Sequence, residues 1–315
     1  MAEHPLARRS VLVTGATGFV GTHLTRALAH LGAHVHALRR AAGATTRLPC
    51  DGITWHQGDM TAAETLRSAV DRAAPDVVFH LAAYGTTYDQ QDETLAYRTN
   101  IEGSWNLWQA LRGSDCRLVY VGTCGEYGRA TGQVTEAHVC QPTWFYPATK
   151  HAATVLLATL GAQSGRQVVI LRPFGPYGAA DHPGRLIPQV IRALLRGEEV
   201  PVTAGEQLRD YAHVDDHVDA LLRAAACALP RSGAIYNIGS GEVVSLRAVI
   251  ELIARAVGNG ALQRVRFGAL PYRDTEVWEM CCCIDAARRD LGFAPRVSLE
   301  AGIERTVAWY REHTA

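Results

Sequence analysis

Tyr146 and Lys150 stand four residues apart in F-Y-P-A-T-K. On a helix that spacing stacks a phenol and an ammonium on one face. A neighbouring cation favours the tyrosinate and would draw the phenol down from its ordinary value of about 10, which makes a proton donor usable near neutral pH. Upstream lies T-G-A-T-G-F-V-G, Thr14 to Gly21. Gly15, Gly18 and Gly21 follow a short apolar stretch and open a helical pattern, the context in which a glycine turn admits a pyrophosphate. Gly15 permits the tight turn, Gly18 lets the backbone approach the anion, and Gly21 lets the helix pack on the strand. Thr17, Phe19 and Val20 ride on the same turn, and the free N–H groups and dipole of the helix would face the phosphates. A tyrosine–lysine pair combined with such a turn points to redox chemistry on a nicotinamide.

Positioning these groups needs alternating strands and helices. Apolar patterns predict strands at 10–14, 33–38, 53–56, 76–81, 117–121 and near 167–171, interleaved with helices at 19–31, 62–74, 93–111 and 148–160. Near-continuous apolar strands in this alternation call for an α/β fold, a Rossmann-type doubly wound parallel sheet covered on both faces. Beyond Arg172 proline and glycine cluster, and the remaining pattern predicts helices at 186–195, 216–228, 246–256 and 299–310 with a strand at 234–238. This reads as a smaller mixed α/β lobe. The expected division is a dinucleotide-binding domain, 1–172, and a substrate-binding domain, 173–315, with a segment near 211–240 packing back on the first.

With 315 residues and 48% hydrophobic content the chain can bury a full core. Its 31 basic residues balance 31 acidic ones without a basic run, so nucleic acid and anionic membranes are poor partners and a small molecule is the better one. The first ten residues lack an apolar signal core and no run of 18 apolar residues follows, so the expected location is the cytoplasm. Eight cysteines, at 50, 116, 124, 140, 227, 281, 282 and 283, show no paired C-x-x-C spacing, so no metal site is expected. They read as reduced thiols in or near the core.

Eighteen residues after Gly21 the second strand ends in Arg39-Arg40, where an NAD-binding protein usually carries an acid for the ribose 2′-hydroxyl. An arginine fork suits a 2′-phosphate, so NADP(H) is favoured, with NAD(H) still open. Asp59 in G-D-M, next to Met60, is a candidate for the adenine edge.

Several further segments join these: H-L-A-A (80–83), T-N-I-x-G (99–103), T-C-G-E-Y-G (123–128), Y-P-A-T-K (146–150), L-R-P-F-G-P-Y-G (171–178), R-D-Y-A-H-V-D-D (209–216) and Y-N-I-G-S-G (236–241). In this order they resemble the extended short-chain dehydrogenase/reductase family, in its sugar-nucleotide epimerase, dehydratase and reductase branch. The resemblance implies that Tyr146 is the general acid/base, that Lys150 lowers its pKa and holds the nicotinamide ribose, and that Thr123 polarises the substrate oxygen. It implies that His80, Leu81, Ala82 and Ala83 line the cofactor, that Asn100 is the family's structural asparagine on the cofactor side, and that Pro173 flanks the nicotinamide. Tyr84, Cys124 and Glu126 become substrate-pocket candidates, and Arg185, Arg209 and Arg273 candidates for gripping a nucleotide-sugar diphosphate. A homodimer through helices 93–111 and 148–160 is expected.

Family members that dehydrate the sugar at carbons 4 and 6 carry an Asp-Glu pair directly after the threonine. Here Cys124-Gly125 occupies those places, which leaves no evident acid/base couple for elimination. The T-C-G-E-Y-G pattern resembles the branch that reduces 4-keto-6-deoxy sugar nucleotides, with a 4-epimerase as the alternative and a non-catalytic NADP-binding protein as an outside one. Cys124 reads as an acid/base for epimerisation or a small pocket residue, and Glu126 as a second proton carrier or a polar wall.

Overall fold

A computed structural model of the protein describes residues 3–40, 42–44, 46–87, 89–272 and 276–313. Among the described residues seven strands build the main sheet: β1 (Ser10–Thr14), β2 (His34–Arg39), β3 (Ile53–Gln57), β4 (Val77–His80), β5 (Arg117–Val121), β6 (Val168–Pro173) and β7 (Ala234–Ile238). Their order is β3-β2-β1-β4-β5-β6-β7, and every pairing is parallel. Parallel neighbours need crossovers, which the helices supply, among them α1 (Phe19–His30) and α2 (Ala63–Ala73). Alternate residues of one strand feed two cores: Val11 and Val13 pack in one hydrophobic layer, Leu12 in the other. The strand order reverses at β1, flanked by β2 and β4, so a crevice opens at the carboxyl ends of these parallel strands.

Helix positions explain how the reactive residues are aimed. The stretch 93–111 is not one uniform helix: α3 (Glu93–Tyr97) passes through a π-helical turn, Arg98–Glu102, into α4 (Gly103–Ala110). The wide turn brings Asn100 inward, as such insertions do at constrained sites. Helix α5 (Phe145–Ser164) starts three residues before the patterned 148, because Pro147 sits comfortably within a first turn. Tyr146 therefore lies at the amino end of α5.

The segment after β6 contributes helix Val214–Ala226 and strand β7 to the main sheet's layers. Helices Leu186–Leu195, Leu246–Val257 and Leu299–His313 enclose a separate core that includes Ile187, Ile191, Ile253 and Val307. A small mixed sheet pairs Leu208–Arg209 with Val244–Ser245 and Glu279–Cys282, the last also with Gln133–Val134. Cys281, Cys282 and Cys283 are buried there, and all eight cysteines are free thiols. Among the described residues no helix is long and apolar enough to cross a membrane.

Candidate active site

A cleft of about 500 Å³ runs along the carboxyl ends of the strands. At one end it is floored by the glycine turn. Gly15 has φ +74°, and a Cβ there would stand 2.7 Å from the Ala82 nitrogen, so only glycine fits between β1 and the chain leaving β4. A Cβ at Gly21 would overlap the Gly15 carbonyl oxygen. Helix α1 begins at Gly18 with no side-chain cap and no acid in its first turn, which leaves backbone donors and the positive dipole end open to an anion. Thr17, Phe19, Val20, Met60, Leu81 and Ala83 complete this wall.

Cations crowd the same end. Arg39 lies over the Trp55 ring at 5.3 Å and donates to the Ala44 carbonyl at 3.1 Å, while its buried Nε has no acceptor. Arg40 lines the cleft beside it, as does a third arginine that spacing did not single out. Arg47 reaches from the β2–β3 connection to the Thr17 carbonyl at 3.3 Å and the Ala180 carbonyl at 3.2 Å. Its place depends on how that loop folds back, for which the sequence carries no period. Asp59 lines the cleft, but Oδ1 accepts from both the nitrogen and hydroxyl of Thr61 at 2.8 Å. The donor set, an uncapped helix end and three guanidiniums, fits the phosphates of a dinucleotide.

Two expected cofactor contacts are corrected. His80 does not line the cleft: it is fully buried beneath the turn, 2.8 Å from Thr14 Oγ1 and 3.0 Å from Ser104 Oγ. Burial, with the Lys150 charge adding, pushes its pKa down to about 3, so it is a neutral strut. Asn100 also lies outside the lining. Its amide donates to the Tyr84 carbonyl at 2.9 Å and to Thr149 Oγ1 at 2.8 Å, and its Oδ1 accepts from the Tyr84 nitrogen at 2.9 Å. It pins the Tyr84 loop to α5.

At the centre Thr123, Cys124, Tyr146, Lys150 and Pro173 face one another across the cleft, with Tyr84 on the rim. Tyr146 shares a hydrogen bond with Thr123. The expected lowering of its pKa by Lys150 is reversed. Desolvation in the cleft wall pushes the phenol up, Cys124 and Glu126 add to this, and Arg185 and the Thr123 hydrogen bond only partly oppose it. Lys150 instead rests its ammonium over the Tyr120 ring at 4.2 Å, and burial draws it down to about 7 against the pull of Glu126.

The substrate end departs further from expectation. Glu126 does not face the cleft: it is 0% exposed and bound to Arg172 at 2.9 Å, behind the wall. A buried carboxylate already paired with a guanidinium is a structural charge, not a proton carrier. Cys124 does line the cleft, but desolvation raises its thiol to about 11, against its use as a base. Arg185 lines the cleft, 3.5 Å from Asp181. Arg209 is outside the lining and tied to Glu276 at 2.7 Å, while Arg273 lies outside the described residues. Gln90, Asp181 and His182 line the cleft without having been singled out, since nothing in their spacing marks them.

A model of the NAD dependent epimerase/dehydratase family matches residues 11–239. The chain belongs to this family. A dTDP-glucose 4,6-dehydratase of Streptomyces griseus is 32% identical over 320 residues, covering 96% of this chain and 94% of the relative. The structure of MoeE5 in complex with UDP-glucose and NAD superimposes with a TM-score of 0.85 at 31% identity, over 97% of this chain and 100% of that one. A UDP-glucose 4-epimerase of Thermotoga maritima, with UDP-glucose, gives a TM-score of 0.88 at 25% identity, over 97% and 99% of the two chains. The protein is thus an enzyme of the extended short-chain dehydrogenase/reductase type. Thr123, Tyr146 and Lys150 stand together at the centre of the cleft. Among the described residues Glu126, Cys140 and His151 have donor atoms within 4.8 Å of one another. Arg172 already supplies the cation that Glu126 requires there.

Proposed function

We propose that the enzyme reduces the keto carbon of a 4-keto-6-deoxy nucleotide sugar, with NADPH as the favoured cofactor. The observation that carries this reading is the proton inventory of the cleft centre. Beside Thr123 stand a neutral thiol and a glycine, and the nearest glutamate is turned away into the core. Among the described residues no acid or base directly follows Thr123 to serve an elimination, Asp181 and His182 lining the cleft elsewhere, so the activity named for the Streptomyces relative is not carried over. What stands beside Thr123 is one proton donor, Tyr146.

Bound at the glycine turn, NADPH supplies a hydride; the chain's own residues do the rest. Arg185 orients the diphosphate, and Thr123 donates a hydrogen bond to the substrate oxygen as negative charge develops on it. Tyr146, whose raised pKa keeps it protonated, delivers its proton to that oxygen. Lys150, on α5 at the centre of the cleft, supplies a positive charge in the wall that also carries the new tyrosinate. Arg39, Arg40 and Arg47 suit the extra phosphate of NADP(H).

A second reading, a 4-epimerase with retained NAD, is supported by the likeness to the Thermotoga 4-epimerase and, for the cofactor, to MoeE5 with its bound NAD. It would require Tyr146 to take a proton from a sugar hydroxyl first, which the raised phenol opposes. Absorbance at 340 nm decides between them. With a 4-keto-6-deoxy nucleotide sugar the reductase consumes NADPH one for one; interconversion of UDP-sugars with no net absorbance change would instead establish the epimerase. NADPH binding without turnover on any nucleotide sugar would leave a non-catalytic protein. We further infer a homodimer through the face of α3, α4 and α5, where Tyr97, Trp105 and Val155 are exposed, to be read as twice the chain mass in light scattering.

A further inference from the structure

The cleft accounts for Thr123, Tyr146 and Lys150 but not for the carboxylate buried directly behind them. Glu126 Oε1 accepts the backbone N–H of Thr123 at 3.0 Å and the hydroxyl of Thr154, one turn beyond Lys150 on α5, at 3.0 Å. Its Oε2 receives Arg172 Nε at 3.0 Å and Nη2 at 2.9 Å from β6, with His151 Nδ1 at 3.3 Å. A side chain at Gly122 would overlap Oε1, so the end of β5 is kept bare for this oxygen. One buried carboxylate therefore ties together the turn bearing Thr123, the helix bearing Tyr146 and Lys150, and strand β6.

We propose that Glu126 is a positioning residue that locks Thr123 and helix α5 into one frame and acts as the buried counter-charge of Lys150. This rests on the reading of Thr123, Tyr146 and Lys150 as the proton-delivery set. Lys150, Arg172 and Glu126 are all buried, Lys150 in the cleft wall and the other two behind it, and two cations against one carboxylate leave a net positive charge on this side of the cleft centre. That balance favours the transition state while keeping Lys150 charged. Other groups face the cluster from each packed element: His151 from α5, Tyr120 from β5, Tyr127 from the turn itself, and Cys140 from the loop after it, while Cys124 faces Tyr146. His80 faces Lys150, and Arg185 faces Tyr146.

The sign follows from the charge. Glu126 raises both Lys150 and Tyr146. Reduction needs both protonated, so turnover is present at low pH and lost as pH rises through these groups. Removing the charge lowers both, and the loss moves to lower pH.

The test is the pH profile of kcat, read with NADPH and a 4-keto-6-deoxy nucleotide sugar. In Glu126→Gln the alkaline limb moves down by about one pH unit, and kcat at pH 8 falls about tenfold or more while recovering toward pH 6. KM for NADPH changes less than kcat. Glu126→Asp keeps the charge but shortens its reach, so its limb stays in place while kcat falls. A folded Glu126→Gln whose limb coincides with that of the wild type overturns the proposal. Should the amide variant not fold, Glu126→Asp and Thr154→Val decide: unshifted limbs with reduced kcat support the inference, and wild-type kcat in both overturns it. Absence of wild-type turnover would indict the functional reading alone. The counter-charge is then read from NADPH binding by protein fluorescence, which Glu126→Gln should lose at a lower pH than the wild type; loss at the same pH overturns it.

Discussion

At its cofactor end the cleft is made by three short runs, each at the carboxyl end of a neighbouring strand: the turn from Gly15 to Gly21 between β1 and α1, the end of β2 at Arg39, and Leu81 to Ala83 just past β4. At its substrate end the groups arrive from distant segments, Cys124 after β5 and Arg185 ahead of helix Leu186–Leu195, while Arg209, on a short strand of the small mixed sheet, stays outside the lining. The first end is shaped by local backbone requirements, which a sequence states directly. The second is shaped by which buried partners each side chain meets after folding, and there a single neighbour can redirect it. Glu276 holds Arg209 and Arg172 holds Glu126.

The comparison can be broken at its hinge, the reactive centre between the two ends. Tyr146→Phe is expected to lower kcat by about 10³-fold, within the range of general acid catalysis, while NADPH affinity by fluorescence titration stays near wild type. Retained turnover would remove the chemistry from this phenol altogether. Next in size is a change confined to the cofactor end. Gly15→Ala adds a side chain at φ +74°, against the backbone of Leu81 and Ala82. The left-handed conformation alone costs about 1–2 kcal/mol, and the clash widens the turn, so NADPH affinity should fall about tenfold or more with a lower Tm in calorimetry. Unchanged affinity would show that the turn does not seat the cofactor.

The same contrast describes how much was legible in advance. The Rossmann sheet and its helices were readable because parallel strands are buried on both faces and announce themselves as apolar runs; β4, with all four residues buried, is the plainest instance. The glycines were readable because positive φ and close approach admit no other residue. The π-helical turn at Arg98–Glu102 left no mark on the amphipathic pattern, so Asn100 was readable as a structural asparagine but its bonds to Tyr84 and Thr149 were not. The reversal of the Tyr146 pKa was hidden too. Spacing puts Lys150 on the right face of α5 but cannot show that the Tyr120 ring holds its ammonium. Arg47 was missed because its position depends on a loop closing over Thr17 from 30 residues away.

Cofactor choice offers a smaller and more local effect. Arg40 is exposed and lines the cleft, so Arg40→Ala should leave the fold intact and shift the ratio of kcat/KM for NADPH over NADH toward NADH by about tenfold, the worth of one charge-assisted contact. A ratio that does not move would place the 2′-phosphate elsewhere, with Arg47→Ala the next variant to measure.

The finest test sets two arginines of the substrate end against each other. The Arg185 side chain is 40% exposed along the cleft and 3.5 Å from the buried Asp181, a spacing that leaves it donors free for a diphosphate while it stays beside that carboxylate. Arg209 is 25% exposed and meets Glu276 at 2.7 Å, while its Nη1 donates to the Leu208 carbonyl at 2.9 Å. To serve a substrate it must share or surrender a short ion pair. Arg185→Ala should therefore raise the nucleotide-sugar KM by about tenfold and Arg209→Ala by about threefold, with kcat nearly constant in both, as for interactions made equally in ground and transition states. Because each guanidinium carries the same charge, a difference between the variants measures position and tether together, Arg185 lining the cleft and Arg209 standing outside it. Glu276→Gln should then bring Arg209 into play and lower KM below the wild-type value. If Arg209→Ala proves the more damaging of the two, the Glu276 pair is a resting arrangement that substrate displaces, and the substrate end is shaped by the ligand as much as by the fold.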